Sequence, residues 1–302
     1  MSISRIQMAP AGPEFSRIAW GAWRLADARL ERKEILALVS AAVDLGITTI
    51  DHADIYGGYT CERLFGDALA GEPGLRGRLQ LVTKCGIKLV TANRPAHRVK
   101  HYDTGYRHIV VSVENSLAQL RAEKIDLLLV HRPDPLMDAD EVARAFADLK
   151  QAGKVLYFGV SNFTTGQFDL LASRLPFPLV TNQLQISALH LDALQNGTLD
   201  QCQRLRLCPM AWSPLDGGRL FKEETPRAQA VREALASVGQ EHGATVEQTA
   251  LAWILALPSK PAPVLGTANG DRLKLQAGAE KIQLTREQWT RIWTASMGRP
   301  VP

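Results

Sequence analysis

No stretch of this sequence approaches the roughly 20 consecutive apolar residues that cross a bilayer. Its first residues, MSISRIQMAPAGPE, also lack the apolar core of a signal peptide. The chain has no run of five basic residues, and its net charge of +4 is spread along its length. These absences predict a cytoplasmic protein that binds neither membranes nor nucleic acid.

Cysteine is scarce, and other short motifs are missing as well. The four cysteines form no CxxC motif, which favours reduced thiols over disulfides or a cysteine-based metal site. The sequence contains no HxH or HExxH motif, so a zinc hydrolase has little support. A GxGxxG motif and a Walker loop are absent, and these motifs are the usual nucleotide signatures of a doubly wound open sheet.

Short apolar stretches recur along the chain, with longer amphipathic stretches between them. The composition, with 46% hydrophobic and 22% charged residues, is that of an ordinary globular protein. The apolar stretches do not alternate with polar residues, as expected for strands that are buried on both faces. We predict strands at 17–21, 47–50, 79–83, 126–130, 155–160, 179–182, 208–212 and 263–265.

Helical patterns fill the intervals between these strands. The segment 31–46 places apolar residues at helical spacing and ends at Gly46, a favourable C-cap. Eight strands with a helical segment after each predict an α/β fold, a (β/α)8 TIM barrel formed as a single domain over residues 1–302. A doubly wound open sheet is the structural alternative.

The helix-poor stretches 87–104 and 213–226 follow strands and would overhang the active end of a barrel. Further helices are predicted at 108–120, 139–153 and 164–175.

Polar and aromatic residues follow nearly every predicted strand. In a barrel, the carboxyl ends of the strands surround one active-site mouth. Asp51 and Tyr56 follow the second strand, Lys84 follows the third and His131 follows the fourth. A lysine and a histidine directly after apolar strands are costly to bury without partners. Convergence at the mouth would give each of them a partner.

The types of these four residues suit proton transfer. Asp51 is expected to neutralise Lys84, and the Lys84 ammonium is expected to lower the pKa of Tyr56 from about 10. Tyr56 would then donate a proton near neutral pH, while His131 would hold or share that proton. Such a group suits protonation of a carbonyl oxygen during hydride delivery.

A metal-dependent hydrolase is a second chemical interpretation of the same region. Asp51, His52, Asp54 and His131 are all common metal-ligand types. Adjacent residues of a strand point to opposite faces, however, so Asp51 and His52 are not expected to face the barrel centre together. We therefore expect His52 to face the helix layer and the site to hold no metal.

Several segments resemble the aldo-keto reductases and occur in that family's order. DHADIYGGY matches the family's DxAxxYG pattern, and VTK and LLLVHRPDP resemble the segments that carry its catalytic lysine and histidine. The resemblance runs from about Gly21 to Leu273 through GKVLYFGVSNF, TNQLQIS, AWSPLDGGRL and PVLGTANGDRL. DHADIYGGY, HRPDPLMDADEVA and PMAWSPL resemble a bacterial branch of the family, the YdhF-type oxidoreductases.

The resemblance implies a monomeric oxidoreductase that uses NADP(H) to reduce aldehyde or ketone carbonyls of small molecules to alcohols, without a metal. It implies that Tyr56 is the general acid/base, tuned by Lys84 and Asp51, and that His131 orients the carbonyl. Trp23, Tyr56 and His131 would form the substrate pocket. The functional alternative is a non-catalytic NADP-binding regulatory subunit, since the family includes such proteins. Further candidates for the pocket wall are Trp20, Tyr59, Arg132 and Trp212.

The resemblance also implies an extended cofactor site across the barrel mouth. Amide and hydroxyl side chains suit the nicotinamide carboxamide, which has both donors and an acceptor. Thr267 and Arg272 match the positions that meet the 2′-phosphate, although Gly266 replaces a lysine of some relatives and implies a lighter phosphate grip. The implied cofactor-binding residues are Gly21, Trp23, Asp51, Ser161, Asn162, Gln183, Trp212, Ser213, Pro214, Leu215, Gly217, Gly266, Thr267, Arg272 and Gln276.

Overall fold

Eight parallel strands form a closed barrel in the computed structural model of the chain, which describes residues 2–300. Each strand pairs with the next one in the sequence, and the last pairs with the first. The predicted (β/α)8 barrel is therefore confirmed, and the open-sheet alternative is wrong. The barrel strands are β1 (Ala19–Gly21), β2 (Thr49–Asp51), β3 (Gln80–Cys85), β4 (Ile125–Val130), β5 (Val155–Ser161), β6 (Asn182–Gln185), β7 (Met210–Trp212) and β8 (Ala262–Leu265).

Helices surround the barrel, and the sequence marks several of their ends. Gly46 has a φ of +83°, the left-handed conformation expected of a residue that terminates α1. α6, α11 and α13 each begin with a capping box. The threonine hydroxyl accepts a hydrogen bond from the backbone N–H of a glutamine three residues later, and the side chain of that glutamine accepts one from the backbone N–H of the threonine. The helices are α1 (Arg32–Asp44), α2 (Cys61–Leu69), α3 (Pro73–Arg76), α4 (Tyr106–Leu120), α5 (Ala139–Gln151), α6 (Thr165–Ala172), α7 (Asp192–Gln195), α8 (Thr198–Leu205), α9 (Arg219–Lys222), α10 (Pro226–Glu241), α11 (Val246–Leu255), α12 (Gly270–Ala277) and α13 (Arg286–Met297).

The sixth strand lies further along the chain than its apolar stretch predicted. The prediction was 179–182, whereas β6 begins at Asn182. Gln183 and Gln185 lie within the strand because their backbones pair with β7, while their amide groups bond to Asp51 and Asp216. A strand assigned by its apolar residues alone therefore ends too early at this position.

The two stretches without long helices do contain short elements. Ile87–Lys88 pairs antiparallel with His101–Tyr102 in the segment after β3. A 3-10 turn at Asp216–Gly218 leads into α9 in the segment after β7. Both segments follow the carboxyl ends of barrel strands.

An N-terminal hairpin lies against the opposite end of the barrel. Arg5–Gln7 pairs antiparallel with Glu14–Ser16, a hairpin that the sequence analysis did not predict. The backbone N–H of Cys208 donates to the carbonyl of Met8, 2.8 Å away, just before β7 begins. Ser16 and Thr49 exchange hydrogen bonds of 3.0 and 3.1 Å at the start of β2. The barrel is therefore open for ligands at the carboxyl ends of its strands.

Polar groups are also buried between the barrel and its helices, behind β2 and β3. His52 packs its ring against Phe65, with the ring centroids 4.6 Å apart, and neither ring nitrogen has a hydrogen-bond partner. Burial, together with the charge of Lys84, lowers the pKa of His52 to about 3, so the ring is neutral at physiological pH. His52 thus faces the helix layer, as the strand alternation predicted.

The side chain of Glu62, on α2, accepts hydrogen bonds from two hydroxyl groups in this buried layer. It accepts a 2.6 Å hydrogen bond from Thr83 of β3 and a 3.0 Å bond from Ser116 of α4. Burial raises the pKa of Glu62 from 4.5 to about 7, and the two hydroxyl hydrogen bonds offset only part of that rise. The folded protein therefore holds a proton on Glu62 over a pH range in which the unfolded chain has lost it.

This difference predicts a pH-dependent contribution to stability. Because the pKa of Glu62 is raised on folding, its contribution is fully present below pH 4.5 and declines as the pH rises towards about 7. We expect the free energy of unfolding of Glu62→Gln, measured with urea between pH 5 and pH 8, to lack this decline. His52 titrates in both proteins, so its opposite slope cancels in the difference between them. Parallel stability curves for the two proteins would contradict the assignment.

Candidate active site

The side chain of Lys84 is fully buried at the carboxyl end of β3 and has three acceptors. Its ammonium donates to Asp51 Oδ2 at 2.7 Å, to the His52 carbonyl at 2.7 Å and to the Tyr56 hydroxyl at 3.1 Å. An ammonium has three donors, so these bonds use all of them. The predicted convergence of Asp51, Tyr56 and Lys84 is present in the structure.

Asp51 is buried beside Lys84 as its counter-ion, and the second oxygen of its carboxylate has a hydrogen-bond partner of its own. Its other oxygen, Oδ1, accepts a 2.8 Å hydrogen bond from Gln183 Nε2 of β6. Burial alone would lower the pKa of Lys84, but the adjacent Asp51 carboxylate offsets that effect and the pKa is raised. The ammonium is therefore held in its charged form beneath the cavity.

Tyr56 lies in the loop after β2, and its hydroxyl meets the Lys84 ammonium. The loop turns at Gly57, whose φ is +59° and where an added Cβ would lie 2.7 Å from Cys61 Sγ. Burial raises the pKa of Tyr56 above its usual value near 10, and Lys84 lowers it only in part. The expected net fall in this pKa is therefore wrong, because desolvation is the larger effect and Asp51 also opposes the fall.

His131 follows β4 directly and stands beside Tyr56. Its backbone N–H donates to the Cys85 carbonyl at 2.8 Å, and its ring lies edge-on to Tyr56 with the centroids 6.0 Å apart. Burial lowers its pKa well below 6.5, and the charges of Lys84 and Arg132 lower it further. The ring is thus neutral, which disfavours holding the proton of Tyr56 as an imidazolium but leaves the expected sharing of that proton available, through one N–H donor and one acceptor nitrogen.

A cavity of about 350 Å³ opens at the carboxyl ends of the strands. Lys84 lies beneath it, and its hydrogen bonds to Asp51 and Tyr56 connect it to the floor. Arg24, Arg132, Gly218, Val264 and Leu265 also line the cavity. The other predicted catalytic and cofactor-binding residues all line it, and they are Gly21, Trp23, Asp51, Tyr56, His131, Ser161, Asn162, Gln183, Trp212, Ser213, Pro214, Leu215, Gly217, Gly266, Thr267, Arg272 and Gln276.

A connected set of polar groups forms one side of the cavity. Ser161 Oγ donates to the Gln183 carbonyl at 2.9 Å and accepts from Asn162 Nδ2 at 2.7 Å. Asn162 Oδ1 accepts from the indole N–H of Trp212 at 2.9 Å, and Asn162 has a φ of +60°. These bonds fix the amide edge of Asn162 and the plane of the Trp212 ring relative to each other.

A second group of polar residues lies at the far end of the cavity. Arg272 donates to both oxygens of Glu247, at 2.7 and 3.1 Å, and Gln276 Nε2 donates to the same carboxylate at 2.8 Å. The buried Gln276 Oε1 has no hydrogen-bond partner. The Trp23 ring packs closely against Gly266, where an added Cβ would lie 2.5 Å from Trp23 Nε1.

Residues that the sequence analysis missed also hold this end in place. Glu247 belongs to α11, and nothing in the sequence indicates its approach to Arg272. Asp216 is buried and accepts from Gln185 at 2.9 Å and from Arg219 at 2.8 Å, which fixes the turn after β7. Arg24 donates to the Gly217 carbonyl at 2.8 Å.

Two of the residues proposed for the pocket wall lie elsewhere. Trp20 is fully buried in β1 and donates its indole N–H to the Thr267 carbonyl at 2.8 Å. The Tyr59 hydroxyl accepts from the Leu89 backbone N–H at 3.0 Å and does not line the cavity. Both assignments are corrected, because an aromatic residue near a strand end also serves the core or a loop. Trp23, Arg132 and Trp212 do line the cavity.

The described residues offer no support for a metal site or a membrane span. Among residues 2–300, no three His, Cys, Asp or Glu side chains are grouped so that they could hold a metal ion. In the same part of the chain, no helix combines the length and apolar character needed to cross a membrane.

Comparison with known proteins gives matches along almost the whole chain. A model of the Aldo/keto reductase family matches residues 17–296. Oxidoreductase YdhF of Escherichia coli K12 is 51% identical over 301 residues, covering 99% of this chain and 100% of that protein. A 6-dehydroglucose reductase of Agrobacterium fabrum is 45% identical over 289 residues, covering 95% of this chain and 96% of that protein.

A solved structure agrees with these sequence matches. The thermostable aldo-keto reductase Tm1743, in complex with the inhibitor epalrestat, superposes with a TM-score of 0.81 and 26% identity. The match covers 97% of this chain and 100% of that one. The chain therefore belongs to the aldo/keto reductase family of oxidoreductases, which act on small molecules with nicotinamide cofactors.

Proposed function

We propose that this protein uses NADPH to reduce an aldehyde or ketone to an alcohol, with Tyr56 as the proton donor. The observation that carries the proposal is the 3.1 Å hydrogen bond from the Lys84 ammonium to the Tyr56 hydroxyl, beside the cavity. A phenol held against a buried cation is suited to give up a proton and to carry negative charge afterwards. Asp51 keeps that cation in position and charged.

The shifted pKa values support distinct tasks for Tyr56 and His131. Because the pKa of Tyr56 is raised above 10, its hydroxyl keeps its proton at neutral pH and has it available for the carbonyl oxygen. When the proton leaves, the Lys84 ammonium stabilises the tyrosinate. His131 is neutral, so its task is to hold the carbonyl oxygen with a hydrogen bond rather than to supply a proton.

The residues around the cavity fit a nicotinamide dinucleotide. Asn162 and Gln183 offer amide groups for the carboxamide, and Trp212 offers a ring for stacking. Gln276 also lines the cavity, and its buried oxygen Oε1 has no hydrogen-bond partner. When bound, the cofactor supplies the hydride, and the chain's own residues orient it and exclude water.

A preference for NADP(H) over NAD(H) is supported by Thr267 and Arg272. A hydroxyl and a guanidinium are suitable partners for a 2′-phosphate. Arg272 is already held by Glu247, which orients the guanidinium but also neutralises part of its charge. Gly266 supplies no further cation, so we expect a moderate rather than a strong preference.

The substrate to test first is a polyhydroxylated aldehyde. A relative that is 45% identical is named 6-dehydroglucose reductase, and its length matches this chain closely.

We also propose that the whole chain forms one aldo-keto reductase domain and works as a monomer. The four cysteines are free and buried, which supports a reducing compartment such as the cytoplasm.

The central test removes the hydroxyl group of Tyr56 by substitution with phenylalanine. The same substitution at a second tyrosine of this loop serves as the control. We expect Tyr56→Phe to lower NADPH oxidation with glyceraldehyde or benzaldehyde by about 100-fold or more, because the proton donor is lost. Its Kd for NADPH, measured by fluorescence quenching, should match the wild type. Tyr59→Phe should keep its activity, since Tyr59 does not line the cavity.

Two outcomes of this test would reject the proposal. Wild-type turnover by Tyr56→Phe would show that Tyr56 is not the proton donor. Tight NADPH binding by the wild type without turnover over a broad panel of carbonyl compounds would favour a non-catalytic regulatory subunit.

The cofactor preference has its own test at Arg272. We expect Arg272→Ala to raise the Kd for NADPH by about tenfold or more, because a charge-assisted contact to the 2′-phosphate is lost. The Kd for NADH, which lacks that phosphate, should change little. Arg63→Ala, at an exposed position of α2, is the control and should change neither value. An equal loss for both cofactors would assign Arg272 to a part that the two cofactors share.

A further inference from the structure

Arg132 stands out among the arginines that line the cavity. Three arginines line it, and two of them have oxygen acceptors. Arg24 donates to the Gly217 carbonyl, and Arg272 donates to the Glu247 carboxylate. Within residues 2–300, the guanidinium of Arg132 forms no salt bridge and no side-chain hydrogen bond, and it lies over the Trp212 ring at 5.1 Å from the centroid.

The position of Arg132 makes this lack of an oxygen partner informative. The residue is partly buried, and burial lowers its pKa, so part of its hydration has been lost. A partly desolvated guanidinium is normally compensated by a carboxylate or phosphate. Stacking on an aromatic ring uses the face of the guanidinium and leaves its in-plane N–H donors available.

Several cations lie near the carbonyl position. Lys84, Arg132 and Lys100 all lower the pKa of His131. Asp51 neutralises Lys84 through the buried ion pair, but no carboxylate within residues 2–300 is bonded to Arg132. The substrate side of the cavity therefore carries uncompensated positive charge next to Tyr56 and His131.

We infer that Arg132 binds an anionic oxygen group of the substrate, a carboxylate or a phosphate, while the substrate carbonyl lies at Tyr56 and His131. The inference rests on the proposed reductase function and narrows it to aldehydes or ketones with a second, negatively charged end. Arg132, Asn162 and Trp212 also line an adjacent cavity of about 290 Å³, which provides room for that end. Asp192 lines this cavity too, with its carboxylate 3.6 Å from His190 Nε2, so the anionic group is expected on the Arg132 side. The bidentate donors of a guanidinium match both carboxylate and phosphate geometry.

The test compares aldehydes that differ in charge, with NADPH and purified full-length protein. One pair is benzaldehyde and 4-carboxybenzaldehyde, and the other is D-glyceraldehyde and D-glyceraldehyde 3-phosphate. We expect the wild type to prefer the anionic member of at least one pair, and Arg132→Gln to lower kcat/KM for that member by about 30-fold. The pair with the larger loss distinguishes a carboxylate from a phosphate.

Controls separate this role from a general effect on the cavity. In Arg132→Gln the loss of kcat/KM should be at least about tenfold larger for the anionic aldehyde than for its neutral counterpart, because only the anionic aldehyde loses an ion pair. Arg132→Lys should recover part of the preference, since it keeps the charge but loses the planar donor pair. Arg63→Gln removes an exposed arginine of α2 and should leave the preference unchanged.

The results that would overturn the inference are distinct from failure of the reductase proposal. Equal losses for neutral and anionic aldehydes, or no anionic preference in the wild type, would contradict a role for Arg132 in anion binding. Calorimetric titration with succinate and, separately, with inorganic phosphate needs no turnover. Binding of either anion to the wild type that Arg132→Gln abolishes would support the anion site even if no aldehyde were reduced, whereas equal binding by the two proteins, or no binding of either anion, would overturn it.

Discussion

The buried ion pair between Lys84 and Asp51 is the interaction on which the cavity floor depends. An ammonium without a counter-ion at a site with no solvent exposure would cost several kcal/mol. The contacts around the ammonium are therefore needed to keep the charged side chain buried there. The 2.7 Å bond to Asp51 compensates the charge, and Gln183 from β6 satisfies the second carboxylate oxygen. The pair thereby joins β2, β3 and β6 across the barrel and leaves one ammonium donor for Tyr56.

The same burial decides the protonation of the neighbouring groups. Desolvation outweighs the charge of Lys84 at Tyr56 and keeps the phenol protonated, whereas at His131 desolvation and the nearby cations act together and keep the ring neutral. The cavity thus offers a proton donor and a neutral hydrogen-bond donor side by side. Of the three arginines that line the cavity, Arg132 alone has no oxygen partner within residues 2–300, and the proposed anionic substrate would compensate its charge.

The barrel and most of the site could be predicted because each strand ends where an apolar stretch meets a chemically distinctive residue. That rule located Asp51, Lys84 and His131 from sequence, since parallel strands bring their carboxyl ends to one mouth. It also gave Gln183, but it placed the sixth strand too early, because Gln183 and Gln185 lie within β6 itself. It also could not give the net pKa shift of Tyr56, which depends on the balance of desolvation and charge. The partnership of Glu247 with Arg272 depends on how α11 and α12 pack, and no local pattern records it.

The most direct test of the central claim is the turnover of a folded Asp51→Asn/Lys84→Met double variant. Removing both charges leaves no uncompensated buried ion, so the account predicts a higher thermal unfolding midpoint than that of Lys84→Met alone. It also predicts that the double variant oxidises NADPH at least about 100-fold more slowly than the wild type, because the phenol of Tyr56 has lost the adjacent cation. A stable double variant that reduces aldehydes at nearly the wild-type rate would contradict the account.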